Sequence, residues 1–218
     1  MRIARTISPL IVWLTVLVLF APAARASDDD GFVSLFDGKD LAGWTQRGGK
    51  AKYHVEDGVI IGTTEPKTPN SFLCTDKNYA NFMLELDFKV DEGLNSGIQI
   101  RSESTPDYQK GRVHGYQVEI DTTKRAWTGG IYDEGRRGWL NNLEKNDAAR
   151  QAFRHDAWNH FRIVADGDSI KTWLNDVPAA DLKDTMTSTG FIALQVHGTK
   201  SDKPLSVRWR NIKLKTLP

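Results

Sequence analysis

The chain has 218 residues, a formal net charge of +1 and a single cysteine, Cys74. A charge this close to zero gives no electrostatic case for a nucleic-acid or anionic-membrane ligand. One cysteine excludes an internal disulfide, so stability must rest on an apolar core.

The opening residues read as a leader. Arg2 and Arg5 precede the apolar run Leu10–Phe20, and Ala24-Arg25-Ala26 offers a small-x-small cleavage pattern. The run is short for a membrane span, which takes about 20 residues. The expectation is a signal peptide over residues 1–26, export to the periplasm or cell exterior, and no stable membrane span after cleavage. Removing the leader takes away three arginines and no acid, which leaves residues 27–218 at a net −2.

From there the chain is a series of short alternating runs separated by Gly, Asp, Asn and Pro. Phe32–Phe36 is a first strand, and Leu41–Trp44 brings an indole towards the core. Lys52–Val55 and Val59–Gly62 flank the hairpin signal Glu56-Asp57-Gly58. Ser71–Thr75 follows a proline-bounded loop. Asn81–Val90 is the longest run, with Phe82, Leu84, Leu86, Phe88 and Val90 on one face. Ser96–Arg101, His114–Asp121 and Thr128–Tyr132 come next. Trp158–Ala165 and Ser169–Leu174 are joined by Asp166-Gly167-Asp168, and Gly190–His197 and Leu205–Leu217 close the chain. No long helix-period segment or internal repeat occurs. This pattern predicts an all-β chain, an antiparallel two-sheet β-sandwich of jelly-roll type, built as a single domain over residues 27–218. Residues 133–156 break the rhythm and are expected to be a long insertion or lid.

The polar face of the sandwich carries the functional signal. In HGYQVEID (114–121), Tyr116, Val118 and Ile120 alternate with Gln117, Glu119 and Asp121. The same alternation puts Gln99 and Arg101, then Gln195 and His197, opposite the core. Neighbouring strands lie about 4.8 Å apart, so three of them spread such groups over the span of one or two sugar rings. Amides, carboxylates, guanidinium and imidazole offer the planar hydrogen-bonding groups that bracket hydroxyls. Solvated-strand residues such as Thr, Ser and Lys are absent from these positions. Trp127, Tyr132 and Trp139 fall in or beside loops after the polar strand, where aromatic rings could stack on sugar. Trp44, Trp158, Trp173 and Trp209 are read as core. His114 opens the strand before a glycine and is a candidate general base. The sequence implies no required cofactor, since no HxH, HExxH or cysteine-rich pattern occurs. A structural or catalytic divalent metal held by loop carbonyls and aspartates is compatible with it, but has no assigned ligands.

Six motifs in order resemble one known family: FVSLFDGKDLAGW (32–44), SGIQIRS (96–102), HGYQVEID (114–121), TGGIYD (128–133), WNHFRIVADGDSIKTWLND (158–176) and GFIALQVHG (190–198). Together they resemble the 3-keto-disaccharide hydrolase domain. The resemblance implies a concanavalin A-like jelly roll, export, and cleavage of an oligosaccharide or glycoside oxidised at C3. Glu119-Ile120-Asp121 is also similar to the acidic strand of laminarinase-type glycosidases, but Thr123 and Lys124 stand where a further glutamate would be needed. A 3-keto group relaxes that need: one base removes the acidified C2 proton, the C1 substituent leaves by β-elimination, and water adds to the double bond. On this reading His114 or Glu119 is the base and His197 a possible acid. Gln99, Arg101, Gln117, Asp121 and Gln195 would hold substrate, with Trp127, Tyr132 and Trp139 flanking it. A non-catalytic, lectin-like carbohydrate-binding domain is the alternative, and an ordinary endoglycosidase a third.

Overall fold

Period-two alternation lets a strand bury one face, and two such sheets can then share their apolar faces. The computed structural model describes residues 31–218 and has this arrangement. The leader assigned to residues 1–26 lies outside the described residues. One sheet runs, in spatial order, β13 (Val177–Lys183), β12 (Ser169–Leu174), β11 (Asn159–Asp166), β6 (Phe82–Val90), β15 (Ser206–Thr216), β4 (Val59–Thr63) and β3 (Lys52–Glu56), with β1 (Val33–Ser34) also on β15. The other runs β10 (Gly138–Asn141), β9 (Ile131–Glu134), β8 (His114–Ile120), β7 (Ser96–Glu103), β14 (Gly190–Val196), β5 (Ser71–Tyr79) and β2 (Trp44–Gly48). All pairings within the two sheets are antiparallel.

The core lies between the sheets. Phe82, Leu84, Leu86, Phe88 and Val90 of β6 are buried, facing a layer that includes Ile98, Ile100, Tyr116, Val118, Ile120, Ile192 and Leu194. Each large apolar side chain contributes about 1.5–3 kcal/mol on burial. On the reverse of β6, Glu85 is covered by Arg162 and Lys213, both at 2.9 Å. The β3–β4 hairpin turns where the sequence indicated: Glu56 pairs with Val59, and Asp57 and Gly58 take φ of 49° and 75°. Positive φ at both central residues matches strand twist, and Gly adopts it without strain. Trp44 and Trp209 are core residues. Trp158 and Trp173 are not; both are half-buried, and Trp158 carries the Arg210 guanidinium 4.0 Å above its ring.

Two further expectations change. Residues 133–156 are not a lid. Their first part forms the end of β9 and all of β10, which extend the second sheet, and Asp133 ties down Arg136 and Arg137. The remainder packs inward: Leu143 and Ala149 join the core, and Asn146 donates to the carbonyls of Pro178 and Ala179 at 3.0 and 2.9 Å. Cover comes instead from residues 104–113. Val113 packs with Phe72, Cys74, Phe191 and Ala193 on the outer face of the second sheet. Tyr108 donates to the Gly135 carbonyl at 2.7 Å and stacks on His114. The central strands β8 and β14 are therefore buried on both faces.

Arg101 is the second change. Regular alternation would put it on the outer face, but pairing of β7 with β8 slips between Ile100 and Glu103, and Arg101 takes φ of 45°. A bulge of this kind re-aims its side chain. The buried guanidinium donates to the carbonyls of Ala80 and Gly167, each at 2.7 Å, and to Asn81 Oδ1 at 3.1 Å. It ties β7 to the β5–β6 turn and the β11–β12 hairpin, and each of its three nitrogens is engaged there. Replacing it removes three charge-assisted hydrogen bonds that join β7 to these two turns. Arg101→Ala should lower unfolding stability by about 2–4 kcal/mol in urea titration, and Arg101→Lys, lacking the fork, should recover less than half of that.

Candidate functional site

The site is built on the outer face of β7, β8 and β9. Cross-strand register places Gln99 opposite Gln117 and Gln117 opposite Tyr132, with Gly97 opposite Glu119. Four side chains form a chain of hydrogen bonds running one way. Ser102 Oγ donates to Gln99 Oε1 at 2.7 Å, Gln99 Nε2 to Gln117 Oε1 at 2.6 Å, and Gln117 Nε2 to Glu119 Oε2 at 2.7 Å. Asn95 Nδ2 donates to the other carboxylate oxygen at 2.6 Å. Every donor points towards Glu119.

Two glycines make room for this chain. A Cβ on Gly97 would stand 2.6 Å from Gln117 Cδ, so the amide lies flat over the bare backbone. A Cβ on Gly115, whose φ is 143°, would stand 2.3 Å from Ser102 Oγ. The glycines of the SGIQIRS and HGYQVEID motifs are thus spatial requirements of the relay.

Glu119 ends the relay in a cavity of about 240 Å³ lined by Asn95, Gln117, Glu119, Arg125, Tyr132, Glu134, Trp139 and His197. Burial pushes the Glu119 carboxyl up to about 7, with the Asp121 charge adding, against the opposing effects of the Asn95 and Gln117 hydrogen bonds and of Arg125. Asp121 has a different role. Burial disfavours its charge, but Arg125, Thr123 and the Trp127 amide outweigh that and hold its carboxyl below the ordinary range. It accepts from Thr123 N at 3.0 Å and Arg125 Nε at 2.8 Å, and so shapes the loop after β8. Arg125 is thereby laid over Trp127 and Trp139, 4.8 and 5.0 Å from the ring centroids, and its Nη2 lies 3.7 Å from Glu119. The Asp121 ion pair and the cation–π stacking together fix a cation at the wall beside Glu119.

Of the residues singled out from the sequence, Gln117, Glu119, Tyr132, Trp139 and His197 line this cavity. Gln99 sits one hydrogen bond behind it, and Trp127 props Trp139 at 4.8 Å between ring centroids. Gln195 is fully buried on the same face, among the described residues neither of its amide atoms has a hydrogen-bond partner, and it does not line the cavity. Arg101 and Asp121 serve structure, as described. His114 is also elsewhere. It shares strand parity with the core-facing Tyr116, and its ring lies under Tyr108, with Nδ1 2.9 Å from the Arg112 carbonyl and Nε2 3.5 Å from Glu103. Asn95, Arg125 and Glu134 were missed. Asn95 and Glu134 continue the alternation of Gly97–Gln99 and of Tyr132 by one step, which was signal enough; Arg125 lies in a loop with no period to read. Glu134 brings a second carboxylate to the same cavity, its backbone about 13 Å along the sheet from that of Glu119 at about 3.3 Å per residue. Among the described residues no three His, Cys, Asp or Glu side chains gather as a metal site would require.

A sequence family described as the 3-keto-alpha-glucoside-1,2-lyase-like domain matches residues 31–215. The chain belongs to that family. Within the 3-keto-alpha-glucoside-1,2-lyase-like family, an 80-residue stretch is 35% identical to a 3-keto-disaccharide hydrolase of Bacteroides thetaiotaomicron, covering 33% of this chain and 27% of that protein. The match thus spans about a quarter of the relative's length. In fold, the chain is similar to a “putative glycosyl hydrolase” from Parabacteroides distasonis (TM-score 0.63, 22% identity, 87% of this chain and 95% of that one). It is also similar to the carbohydrate-binding module CBM66 from Bacillus subtilis (TM-score 0.59, 19% identity, 80% and 96% covered). These likenesses establish a sandwich shared by glycoside hydrolases and carbohydrate-binding modules. Among the described residues no helix is long and apolar enough to cross a membrane.

The raised carboxyl of Glu119 has a stability consequence. Its folded-state value lies above the ordinary 4.5, so from about 4.5 to about 7 the native chain keeps a proton that the unfolded chain has released. Stability contributed by this group is complete below that window, falls as pH rises through it, and is flat above. The loss amounts to about 3 kcal/mol. Unfolding titrations from pH 4 to 8 should show this slope in the parent chain and a much flatter curve in Glu119→Gln. A second expected outcome concerns the relay. Gly97→Ala should stay folded but displace Gln117; losing a donor that favours the carboxylate should raise the Glu119 carboxyl further, and any sugar affinity should fall by about tenfold in calorimetry.

Proposed function

We propose that this chain is an exported enzyme that cleaves 3-keto-glycosides by β-elimination, with Glu119 as the base. The observation that carries this reading is one carboxylate, buried in a sugar-sized polar cavity, whose proton affinity is matched to neutral pH. A base is most effective when its pKa lies near the working pH, because it is then both available and strong enough. The family's description and the curated relative's name supply the substrate class, a glucoside or disaccharide carrying a ketone at C3.

The chemistry balances with the groups at hand. Glu119 takes the C2 proton; its electron pair forms the C1–C2 double bond, the C1–O bond breaks, and the leaving oxygen takes a proton. The products are a 3-keto-1,2-ene sugar and a free alcohol, and water added across the double bond gives the 3-keto sugar. Arg125 and the amides of Asn95 and Gln117 stand at the cavity wall to stabilise the enolate oxygen as charge develops. Tyr132 and Trp139 form the aromatic wall for the ring. His197, on the exposed rim, and Glu134, on the opposite side, are the groups that can give the leaving oxygen its proton. An ordinary two-carboxylate hydrolysis needs carboxyl groups about 5–9.5 Å apart on either side of the bond. The β-elimination needs no such pair, since Glu119 alone serves as the base.

The alternative, a carbohydrate-binding domain without catalysis, is favoured by the likeness to CBM66. One assay separates the two. Parent protein incubated with a 3-keto-glucoside and with its unoxidised counterpart should release aglycone only from the ketone, with kcat/KM rising as pH passes through about 7. Glu119→Gln should lose about 10²–10⁴-fold in turnover, while His114→Ala should retain more than a third of it. Loss with an alkyl aglycone but not with a nitrophenol would identify His197→Ala or Glu134→Gln as removing the acid. Saturable binding of both sugars with no release from either would establish the binding-domain reading instead.

A further inference from the structure

The cavity around Glu119 does not end at Glu134. That side chain also lines a second, larger hollow of about 660 Å³, whose other walls include Phe72, Lys110, Arg112 and Val113. Lys110 and Gly111 are in turn shared with an open recess of about 510 Å³ that includes Arg47. The three spaces therefore run in sequence across the outer face of the second sheet. On the same sheet, register sets Glu119 opposite Gly97, Gly97 opposite Gln195, Gln195 opposite Phe72, and Phe72 opposite Arg47. Four strand spacings of about 4.8 Å put Arg47 about 19 Å from Glu119.

Charge is distributed unevenly along this line. The inner cavity balances Arg125 against Glu119 and Glu134. Beyond Glu134 the lining groups are Arg112, Lys110 and Arg47. Arg112 is partly matched, with Nη2 3.4 Å from Glu134 and Nη1 3.1 Å from Gln109 Oε1. Lys110 and Arg47 are exposed, and among the described residues neither makes a salt bridge. Of the nearby acids, Glu103 faces His114, and Asp107, exposed on the same loop, lines none of the three spaces. The loop that carries Lys110 and Arg112 turns tightly: Gln109, Lys110 and Gly111 have φ of 44°, 61° and 85°. The loop is closed by Ser104 Oγ donating to the Gly111 carbonyl at 2.7 Å and anchored by Tyr108. Phe72, packed beneath Val113, closes the bottom of the second hollow.

We infer that the outer groove is the leaving-group subsite and that it selects glycosides whose aglycone carries an anionic group, a carboxylate above all. The inference rests on the 3-keto-glycoside reading for the direction in which substrate lies, with the sugar at Glu119 and the aglycone beyond Glu134. The aglycone lies in the hollow beyond Glu134 while its carboxylate reaches Lys110 and Arg112, or Arg47 when the aglycone is longer. These partners are solvent-exposed, so the discrimination is moderate and salt-sensitive.

The test compares phenyl and 4-carboxyphenyl 3-keto-glucosides at low salt. The carboxylated substrate should have a KM about five- to tenfold lower, and the ratio should fall towards one in 0.5 M NaCl and in the double variant Arg47→Ala/Lys110→Ala. Equal KM values with both substrates turned over would overturn the inference and leave the proposed function standing. Calorimetry with unoxidised phenyl and 4-carboxyphenyl glucosides gives a second readout that requires no turnover. Tighter binding of the carboxylated glycoside, lost in the double variant, supports the anionic subsite even if neither ketone is cleaved, an outcome in which the catalytic reading alone fails. Equal binding of the two, or a preference the double variant retains, overturns it.

Discussion

A carboxylate held out of water in a row of amides is the constraint on which the rest of the molecule depends. Glu119 is buried, yet both of its oxygens receive amide hydrogen bonds, from Asn95 and Gln117. Burial disfavours its charge and the donors favour it; burial wins by enough to bring the group to about 7. Neither effect would suffice alone. A carboxylate with these donors in open solvent would stay ionised through the physiological range, and one buried without them would be hard to ionise at all. The site depends on both, which is why it needs a sheet face that is polar and covered together.

That requirement explains the architecture around it. A half-exposed antiparallel sheet normally leaves one face to solvent. Here the outer face of the second sheet is closed on one side by residues 104–113, seated through Val113 and Tyr108, and on the other by the loop that Asp121 organises. The gap between the two covers is the cavity. Arg101 contributes from beneath: its fork joins the end of β7 to turns that serve the first sheet, and this fixes the strand that carries Gln99 and Ser102. Loss of that brace would loosen the relay from its far end.

Much of this was legible in the sequence, and the failures have identifiable causes. The core face of β6 and the inward set Tyr116, Val118 and Ile120 followed from alternation alone, as did the sandwich and the turn at Asp57-Gly58. The placement of Gln117 and Glu119 on the opposite face followed equally. Arg101 was misplaced because a strand slip is invisible to a period-two count. His114 was misplaced for a simpler reason: by parity it belongs with Tyr116, and its chemistry outweighed its register. Treating residues 133–156 as a lid stopped the strand reading at Tyr132, two residues short of Glu134. The cover formed by residues 104–113 had no periodic signal, since it is built from positive-φ turns and one hydroxyl-to-carbonyl bond. Arg125 owes its position to Asp121 and two indoles, partners that meet only in three dimensions.

The one-way order of the relay has a consequence for how such a chain can change over generations. An amide presents a donor on one side and an acceptor on the other, so Ser102, Gln99 and Gln117 must agree on a direction, and Glu119 as acceptor sets it. A substitution at any one position that reverses its polarity strands its neighbour with two donors or two acceptors face to face, and the mismatch passes along until every member has turned over. Gly97 and Gly115 are bound into the same unit, because each leaves the room in which a member lies. These six positions, spread over two strands, therefore behave as one inherited character: drift at the surface can proceed residue by residue, but here change must come as a set or be rejected.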